Sequence, residues 1–247
     1  RSGSVFFFCL MIRRPPGSTL FPAQRSSDLT EKPIGACIID EIQVLNEPAR
    51  GWAWTRALMG APAEHLILTG SPDAIPTLQR LAKRLGDELT IVQLDRKTQL
   101  HPQSEPTQYH HLQPGDALIA FGRRQVLELK AQLEAQGYHP AVLYGALGPE
   151  VRRNESARFS SGEADIVIAT DVIGMGLNLP IKRVLFSAMT KYDGEKIQPL
   201  SGNEVRQIGG RAGRFGHHDE GQVGVLPPLD TEACEYIAKS LAAPASA

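Results

Sequence analysis

GACIIDEIQ, residues 35–43, is the stretch that decides the fold. It begins with a short apolar run, 36–39, which ends in two adjacent acids, Asp40 and Glu41. A short apolar run closed by polar residues is typical of a strand buried inside a parallel sheet. Open α/β sheets bind their ligands beyond the carboxyl ends of such strands. The stretch therefore predicts an α/β fold with a candidate site at Asp40 and Glu41.

Strand and helix patterns alternate on the C-terminal side of this stretch. Repeated strand–helix–strand units require crossover connections, which build parallel sheets with helices on their faces. Strands are expected at 36–39, 65–68, 89–94, 117–121, 141–144, 166–170, 184–186 and 222–226, and helices at 50–60, 73–85, 123–136, 149–159 and 203–214.

The length of the chain, 247 residues, suits one large or two small domains. A polar stretch that contains prolines and no apolar period separates the two halves and reads as an interdomain linker. We expect the C-terminal part of an incomplete first domain over 30–95, a linker over 96–114, a complete second domain over 115–228, and a C-terminal helix and tail over 229–247.

Composition excludes several classes of protein. The 26 Lys and Arg residues are balanced by 27 Asp and Glu, so bulk charge is not expected to hold a nucleic acid. Cys9, Cys37 and Cys234 form no CxxC pair, which argues against a disulfide scaffold and a zinc ribbon. The longest apolar run, Val5–Ile12, is far shorter than the roughly 20 residues that span a bilayer. We therefore expect no membrane partner.

Residues 1–29 differ from the rest of the chain. They combine a phenylalanine cluster with Arg13-Arg14-Pro15-Pro16 and a tract of Ser, Pro and Gln. This order fits neither the helical nor the strand period, and it does not fit a signal peptide. We expect the segment to be non-native or disordered and to lie outside the fold.

Two adjacent acids at a strand end suit metal-assisted phosphoryl transfer. One carboxylate can hold Mg²⁺ through water while its neighbour activates the attacking water. Taken alone, however, such a pair more often consists of solvated acids at the end of a strand. The phosphate interpretation of Asp40 and Glu41 therefore depends on the second half of the chain.

Two segments of the second half favour that interpretation. ATDVIGMGLNLP, residues 169–180, follows a predicted strand, and its glycines allow the backbone to approach a phosphate or ribose closely. QIGGRAGRFG, residues 207–216, carries Arg211 and Arg214 on one face of the predicted helix. Glycine weakens a helix by about 1 kcal/mol, so arginines among glycines are better explained as ligands of a phosphate. An Arg-rich capping turn is the alternative.

The chain resembles the superfamily 2 helicases, above all the ATP-dependent RNA helicase of the mitochondrial degradosome and its bacterial relatives. RGWAWTRALMG, residues 50–60, and KYDG, residues 191–194, are similar to that family rather than to DEAD-box or viral helicases. The resemblance rests on DEIQ at 40–43, LTGS at 68–71, ALIAFGRR at 117–124, YGALGPEVR at 144–152, ATDVIGMGLNLP at 169–180 and QIGGRAGRFG at 207–216.

The resemblance implies tandem RecA-like domains that use ATP and Mg²⁺ to translocate along and unwind RNA. It implies that Asp40 holds the water shell of Mg²⁺ and that Glu41 is the general base. Gln207 would position the attacking water or sense the γ-phosphate. Arg211 and Arg214 would neutralise charge on that phosphate, with Arg214 as the arginine finger.

The resemblance also implies roles for residues away from the reacting phosphate. Gly176 and Asn178 would border the ribose, and Thr69 and Gly70 would couple the first lobe to the second. The nucleic-acid track would contact phosphates without reading bases, through Arg123, Tyr144, Gly145 and Thr170.

The sequence contains no GxxxxGK[ST] phosphate loop, which a helicase of this class needs to cradle ATP. We therefore expect the parent protein to be an ATPase and this chain alone to be inactive. Three functions stay open: a fragment of an RNA helicase, a non-hydrolysing RNA- or partner-binding remnant, and a DNA translocase of the same superfamily. RNA, single-stranded or partly duplex, and an exoribonuclease are the expected partners. A bacterial cytoplasm is the first expectation for the compartment, and a mitochondrial matrix is the alternative.

Overall fold

The computed structural model describes residues 5–13, 34–47, 50–95, 98–174, 178–192, 194–213 and 220–242. The chain divides into two compact units, and the boundary falls between Arg96 and Lys97. Each unit has its own sheet and its own apolar core. The predicted α/β class is confirmed, and all eight predicted strands are present.

The first unit is built on a four-stranded sheet. Its strands are β1 (Val5–Arg13), β2 (Ile34–Ile39), β3 (Ala63–Gly70) and β4 (Glu88–Asp95), and its helices are α1 (Gly51–Gly60) and α2 (Ile75–Leu85). The strand order is β2-β3-β1-β4. Strands β2 and β3 are parallel, whereas β1 runs antiparallel to both β3 and β4. The sheet is therefore mixed, although a parallel sheet was expected.

Strand β1 contradicts the prediction that the first 29 residues lie outside the fold. Leu10 and Ile12 are 0% and 3% exposed and belong to the apolar core of this unit, whereas Met11 between them is 44% exposed. Because both faces of the strand carry apolar side chains, the sequence shows no alternation of apolar and polar residues. The prediction of disorder is wrong for Val5–Arg13, and residues 14–29 lie outside the described part of the chain.

Helix α2 links β3 to β4 and follows the rules for an amphipathic surface helix. It buries Leu78 and Ala82 and exposes its basic residues, as an apolar stripe at helical spacing requires. The helix ends at Gly86, whose φ of 72° is the left-handed conformation that glycine adopts without a steric penalty.

The second unit contains a six-stranded sheet in which every pair of neighbours is parallel. Its order is β5-β12-β9-β6-β8-β7, and β10 and β11 form a separate antiparallel hairpin. The strands are β5 (Gln99–Pro102), β6 (Asp116–Ile119), β7 (Pro140–Leu143), β8 (Ile166–Ala169), β9 (Arg183–Phe186), β10 (Thr190–Tyr192), β11 (Ile197–Pro199) and β12 (Glu220–Val225), and the helices are α3 (Arg123–Ala135), α4 (Pro149–Ser161), α5 (Gly202–Gly209) and α6 (Thr231–Ala242).

The centre of this sheet is fixed by apolar burial and by one ion pair. Strand β8, IVIA, is buried along its whole length, as expected for a central parallel strand. Arg183 at the start of β9 donates to both carboxylate oxygens of Asp116 on β6, at 2.7 and 2.5 Å, and Asp116 is fully buried. Such a two-pronged charged pair fixes the geometry of neighbouring strands.

The structure differs from the predicted linker over 96–114. Strand β5 pairs with β12, the backbone N–H of Thr107 donates to Val225 O at 2.9 Å, and Leu112 is buried in the core. A short polar strand that is paired along one edge has no apolar period, which is why the sequence suggested a linker.

Among the described helices, none is long and apolar enough to cross a membrane.

Candidate functional site

Asp40 lies directly after β2, at the carboxyl end of the strand, and is exposed. Its Oδ1 accepts a hydrogen bond from the N–H of Glu41 at 2.9 Å and another from the hydroxyl of Thr69 at the end of β3. Because β2 and β3 are parallel neighbours, their carboxyl ends bring these segments together.

Glu41 has a strained backbone. Its φ of 54° and ψ of 42° lie in the left-handed region, and no other non-glycine residue of the described ranges has a positive φ. This conformation costs roughly 1–2 kcal/mol for a residue with a β-carbon. Strain of this kind collects at functional sites, where the surrounding structure holds it in place.

Gln43 holds the Glu41 side chain and links it to β3. Its Nε2 donates to Glu41 Oε2, and its Oε1 accepts a hydrogen bond from the backbone N–H of Ser71 at 3.0 Å. A β-carbon on Gly70 would lie 2.4 Å from Gln43 Oε1, so a larger residue here would have to displace the Gln43 amide. The structure thus places Thr69 and Gly70 against the DEIQ segment, while their role in coupling two lobes stays a prediction.

Trp54 on α1 also contacts this segment. Its indole Nε1 donates to the carbonyl of Asp40 at 2.9 Å, and its ring packs against the core of the first unit. Trp54 therefore does more than pack in the core, because its hydrogen bond also holds the peptide that joins Asp40 to Glu41.

The chemistry at Asp40 fits a magnesium ion held through water. Mg²⁺ keeps several waters and is bound through one or two carboxylates together with substrate phosphates. The two hydrogen bonds at Oδ1 use only part of the acceptor capacity of an exposed carboxylate. Within the described residues, no group of three or more His, Cys, Asp and Glu side chains could hold a metal ion by itself.

The second unit brings Gln207 and Arg211 together at Gly174, which ends the 3₁₀ turn Asp171–Gly174 after β8. Arg211 is half-buried, and its Nη2 donates to the carbonyl of Gly174. A β-carbon on Gly174 would lie 3.6 Å from Gln207 Cγ, so that side chain packs against the turn. Two segments that the sequence assigned to phosphate binding are therefore in contact.

The structure corrects the expected placement of Arg211 and Arg214 on one helix face. Helix α5 ends at Gly209, and Gly213 has a φ of 59°. A β-carbon on Gly213 would lie 2.3 Å from the backbone N of Gly221, so the chain turns tightly onto β12 instead of continuing as a helix. Arg211 lies beyond the helix. Asn178 is exposed, and Gly176 and Arg214 lie outside the described residues.

Helix α5, which carries Gln207, begins at a capping box. The N–H of Glu204 donates to Ser201 Oγ at 3.3 Å, and the N–H of Ser201 donates to Glu204 Oε2 at 2.8 Å. Lys191 forms an ion pair with the same carboxylate. Partial burial acts to raise the pKa of Glu204, but the hydrogen bonds from Lys191 and Ser201 prevail and lower it. The helix is thus anchored by a charged acid.

The residues assigned to nucleic acid lie at the carboxyl ends of β6, β7 and β8. Arg123 is exposed at the start of α3, and its guanidinium lies 5.8 Å from the ring centroid of Tyr144, which follows β7. The N–H of Thr170, after β8, donates to the carbonyl of Leu143 at 3.0 Å. Strands β6, β8 and β7 are neighbours, so these residues share one edge of the sheet.

Arg152 on α4 holds the loop that follows β7 at this edge of the sheet. Its Nη2 donates to the carbonyl of Gly145 at 3.1 Å and to that of Leu147 at 3.4 Å. Gly145 is exposed. The side chain of Arg152 therefore fixes the loop that presents Gly145.

From the sequence, no individual functional role was expected for four residues of these sites, which are Gln43, Trp54, Arg152 and Gly174. Gln43 lies inside the DEIQ segment, which was the available signal. The contacts of the others depend on how distant segments pack, and no spacing in the sequence reports that.

Comparison with known families now gives these sites a context. Residues 26–94 match the DEXQ-box helicase domain of Suv3, and residues 95–216 match the helicase conserved C-terminal domain. The chain belongs to the Suv3-type helicases of superfamily 2. The two matched ranges contain every candidate site residue.

Curated relatives of this Suv3-type chain are mitochondrial RNA helicases. The ATP-dependent RNA helicase SUV3 of Candida albicans is 38% identical over 216 residues, which cover 87% of this chain and 30% of that protein. SUV3 of Saccharomyces cerevisiae is 38% identical over 213 residues, with 84% and 29% coverage. SUPV3L1 of Mus musculus is 38% identical over 203 residues, with 78% and 26% coverage. The chain thus spans about 30% of the length of these relatives.

Solved structures show the same fold. S. cerevisiae Dbp5 bound to RNA and ADP BeF3 aligns with a TM-score of 0.61 at 16% identity, over 84% of this chain and 57% of that one. Dbp5 L327V bound to Gle1 H337R and IP6 aligns with a TM-score of 0.55 at 15% identity, over 83% and 55%. At this identity the likeness concerns the fold alone, and it confirms the predicted RecA-like architecture.

Proposed function

We propose that this chain is part of an ATP-dependent RNA helicase that couples ATP hydrolysis to translocation along RNA and to its unwinding. The observation that carries the proposal is the hydrogen-bonded arrangement of Asp40, Glu41, Gln43 and Thr69 in a chain of the Suv3 type. Acids at the carboxyl ends of parallel strands are where an α/β sheet acts on a phosphate ligand.

In the first unit, Glu41 takes the proton of the attacking water. Gln43 holds Glu41 Oε2, and Trp54 holds the preceding carbonyl, so the carboxylate is oriented before ATP binds, as electrostatic preorganisation requires. Asp40 would hold the water shell of Mg²⁺. That ion, when bound, neutralises charge on the β- and γ-phosphates.

In the second unit, Arg211 and Gln207 lie together at the Gly174 turn, and the proposal assigns both of them to ATP. Arg211 neutralises charge that builds on the γ-phosphate, and Gln207 positions the water. Arg214 as the arginine finger, and Gly176 with Asn178 at the ribose, complete the proposed ATP contacts.

One short turn connects the proposed ATP site of this unit to its proposed nucleic-acid site. Thr170 opens the turn at the nucleic-acid edge, Gly174 closes it at Arg211, and the N–H of Ile173 donates to the carbonyl of Thr170 at 3.1 Å. This hydrogen-bonded turn is the proposed physical route by which ATP at Arg211 is coupled to RNA at Thr170.

RNA is the proposed nucleic acid because the relatives are named RNA helicases. Binding of the chain to a fluorescent single-stranded RNA, measured by anisotropy against DNA of the same sequence at one salt concentration, tests this assignment. We expect tighter binding to RNA, since the 2′-hydroxyl is the group by which a protein distinguishes RNA from DNA. Equal or tighter binding to DNA would favour the DNA translocase.

ATP turnover is expected only where a phosphate loop is present. Because the sequence contains no GxxxxGK[ST] segment, we expect this chain to show no RNA-stimulated ATP hydrolysis while it still binds RNA. Steady-state phosphate release by the purified chain measures this directly. Turnover that Glu41→Gln abolishes would overturn the expectation.

The compartment and the protein partner belong to the same proposal. The relatives are named as mitochondrial proteins, which favours the mitochondrial matrix and gives the bacterial cytoplasm no support. An exoribonuclease partner follows only from the resemblance to the degradosome helicase and stays a prediction.

A further inference from the structure

The first turn of α1 carries an exposed tryptophan that lies outside the ATP and RNA sites proposed for this chain. Trp52 is 66% exposed, although aromatic side chains dominate the energetics of cores and interfaces when they are packed. Trp54, two residues later, packs in the core of the first unit and donates to the carbonyl of Asp40. Because successive residues of a helix are about 100° apart around its axis, the two indoles point to opposite sides of α1.

Trp52 is held at the edge of the sheet that carries Asp40. The hydrogen bond from Trp54 ties the start of α1 to the carboxyl end of β2. A β-carbon on Gly51 would lie 2.4 Å from the carbonyl oxygen of Leu45, so the helix begins in direct contact with the 3₁₀ turn that follows β2. The indole of Trp52 is therefore presented by a well-anchored helix, next to the edge where an α/β sheet binds its ligands.

The surroundings of Trp52 suit a single flat ring better than a protein interface. All residues of α1 and α2 are described, and Trp52 is the only exposed large apolar residue among them. A protein interface is built around a contiguous apolar centre, which these two helices do not offer. The other exposed large apolar residues described in the first unit lie on its strands and face away from the core that α1 covers; they are Met11, Ile34, Ile38 and Val92.

Arg56 adds a positive charge to this face of α1. It is exposed, and it follows Trp52 by four residues, which places both side chains on the same side of the helix. Aromatic rings combined with cations are the means by which proteins bind single-stranded nucleic acids, because bases stack on the rings and phosphates approach the cations. The chemistry of this face therefore favours a nucleobase as the occupant.

We propose that Trp52 is a base-stacking site for single-stranded RNA on the first unit. One nucleobase stacks on the exposed indole, and the adjoining phosphate lies near Arg56. The inference rests on the proposed RNA helicase function and adds a contact that depends on bases, whereas the edge at β6, β7 and β8 is assigned to phosphates. Because every base has a π-face, this contact holds the strand without selecting its sequence.

The test measures the affinity of the chain for a single-stranded RNA of mixed sequence by fluorescence anisotropy. Trp52→Ala should weaken binding at least about fivefold, the lower end of what alanine substitution removes for one stacked base. The slope of log affinity against log salt should stay unchanged, because no phosphate contact is lost. Trp52→Phe keeps an aromatic ring and should recover most of the affinity. Ile38→Ala, at an apolar residue of the same unit that is 68% exposed, is the matched control and should leave the affinity unchanged.

An oligomer of abasic ribose units, of the same length as the RNA, isolates the contribution of the bases. We expect the unaltered chain and Trp52→Ala to bind this oligomer with affinities within about twofold of each other at low salt concentration, because no base remains to stack. Equal loss of affinity for the RNA and for the abasic oligomer would overturn the proposal. Unchanged RNA affinity in Trp52→Ala would also overturn it, and is the result expected of an indole that anchors a protein partner.

Tryptophan fluorescence covers the case in which Trp52→Ala alters the fold. A stacked base should quench the emission of the unaltered chain during titration with RNA, and Trp52→Phe, which retains only the half-buried Trp54, should show no such quenching. Equal quenching in the two proteins contradicts the proposal. If RNA affinity depends on Arg123 and not on Trp52, this inference fails while the helicase proposal stands; if the chain binds no RNA, both fail.

Discussion

At the scale of one residue, Glu41 combines a strained backbone with the proposed role of general base. The DEIQ segment places a glutamate where the backbone is left-handed, with a φ of 54°. Gln43 and Trp54 hold this strained conformation from the side chain and from the neighbouring carbonyl. The proposed role of Glu41 as general base would account for this strain, which a residue without a β-carbon would relieve.

We expect Glu41→Gly to be more stable than Glu41→Ala by about 1 kcal/mol, because both lose the carboxylate but only glycine relieves the left-handed strain. The two tryptophans of the chain both lie in α1 of the first unit, so their fluorescence during urea unfolding reports on this unit. An alanine variant as stable as the glycine variant would mean that Glu41 is not strained.

Gly70 gives a second prediction at this scale. Gly70→Ala should destabilise the first unit by roughly 1–3 kcal/mol, because the new β-carbon would lie 2.4 Å from Gln43 Oε1 and 3.0 Å from the backbone N of Ile42. Gly35→Ala on β2 is the matched control, since nothing lies within 4 Å of its β-carbon position. Equal urea midpoints for the two variants would show that Gln43 does not occupy the space beside Gly70.

The stability of helix α5 depends on one titrating group, the carboxylate of Glu204. Its capping box and the ion pair with Lys191 both use the Glu204 carboxylate, and this helix presents Gln207 to the Gly174 turn. The pKa of Glu204 is lowered in the folded state because its hydrogen bonds outweigh its partial burial. Its stabilising effect is therefore complete above the ordinary pKa of 4.5 and is lost as the pH falls through the lower folded-state value.

We expect Glu204→Gln to lower the protection of the Val205 and Ile208 amides at pH 7, by an amount that corresponds to about 0.5 kcal/mol. The difference from the unaltered chain should shrink as the pH falls below 4.5 and through the lowered folded-state pKa of Glu204. Glu134→Gln on α3 is the control, because it removes a comparable exposed i,i+4 pair, with Lys130, on a different helix. A difference that persists unchanged at low pH would contradict the role of the charge.

The sequence best predicted the elements whose structure depends only on their own residues. The apolar run of β8 and the glycine that ends α2 are local signals, and both elements form where expected. Strands β1 and β5 depend on partners far away in the chain, β5 on β12 and β1 on β3 and β4. No local period reports such a pairing, and for this reason both strands were missed.

At the scale of the whole molecule, the motifs identified the candidate sites and the packing explained how they are held. Asp40 was expected to hold the water shell of Mg²⁺ and Thr69 to couple the first lobe to the second, and the structure joins the two residues by a hydrogen bond. The expected helix through Arg214 stopped at Gly209 because the chain turns tightly where Gly213 packs on Gly221. That close approach involves a strand that comes later in the chain, so composition alone could not reveal it.

We propose that the chain binds RNA along the edge formed by the ends of β6, β7 and β8. Arg123 and Arg124 are adjacent and exposed at the start of α3, but Arg123 lies over Tyr144 whereas Arg124 is paired with Glu128 at 2.7 Å. They are therefore a matched pair of arginines, of which only one belongs to the proposed track.

The most direct test is the affinity of the chain for single-stranded RNA, measured by fluorescence anisotropy over a series of salt concentrations. Arg123→Ala should weaken binding by about tenfold and reduce the slope of log affinity against log salt by about one. Arg124→Ala should leave the affinity within roughly twofold of the unaltered chain. Equal losses in the two variants, or no loss in Arg123→Ala, would contradict the proposed RNA track.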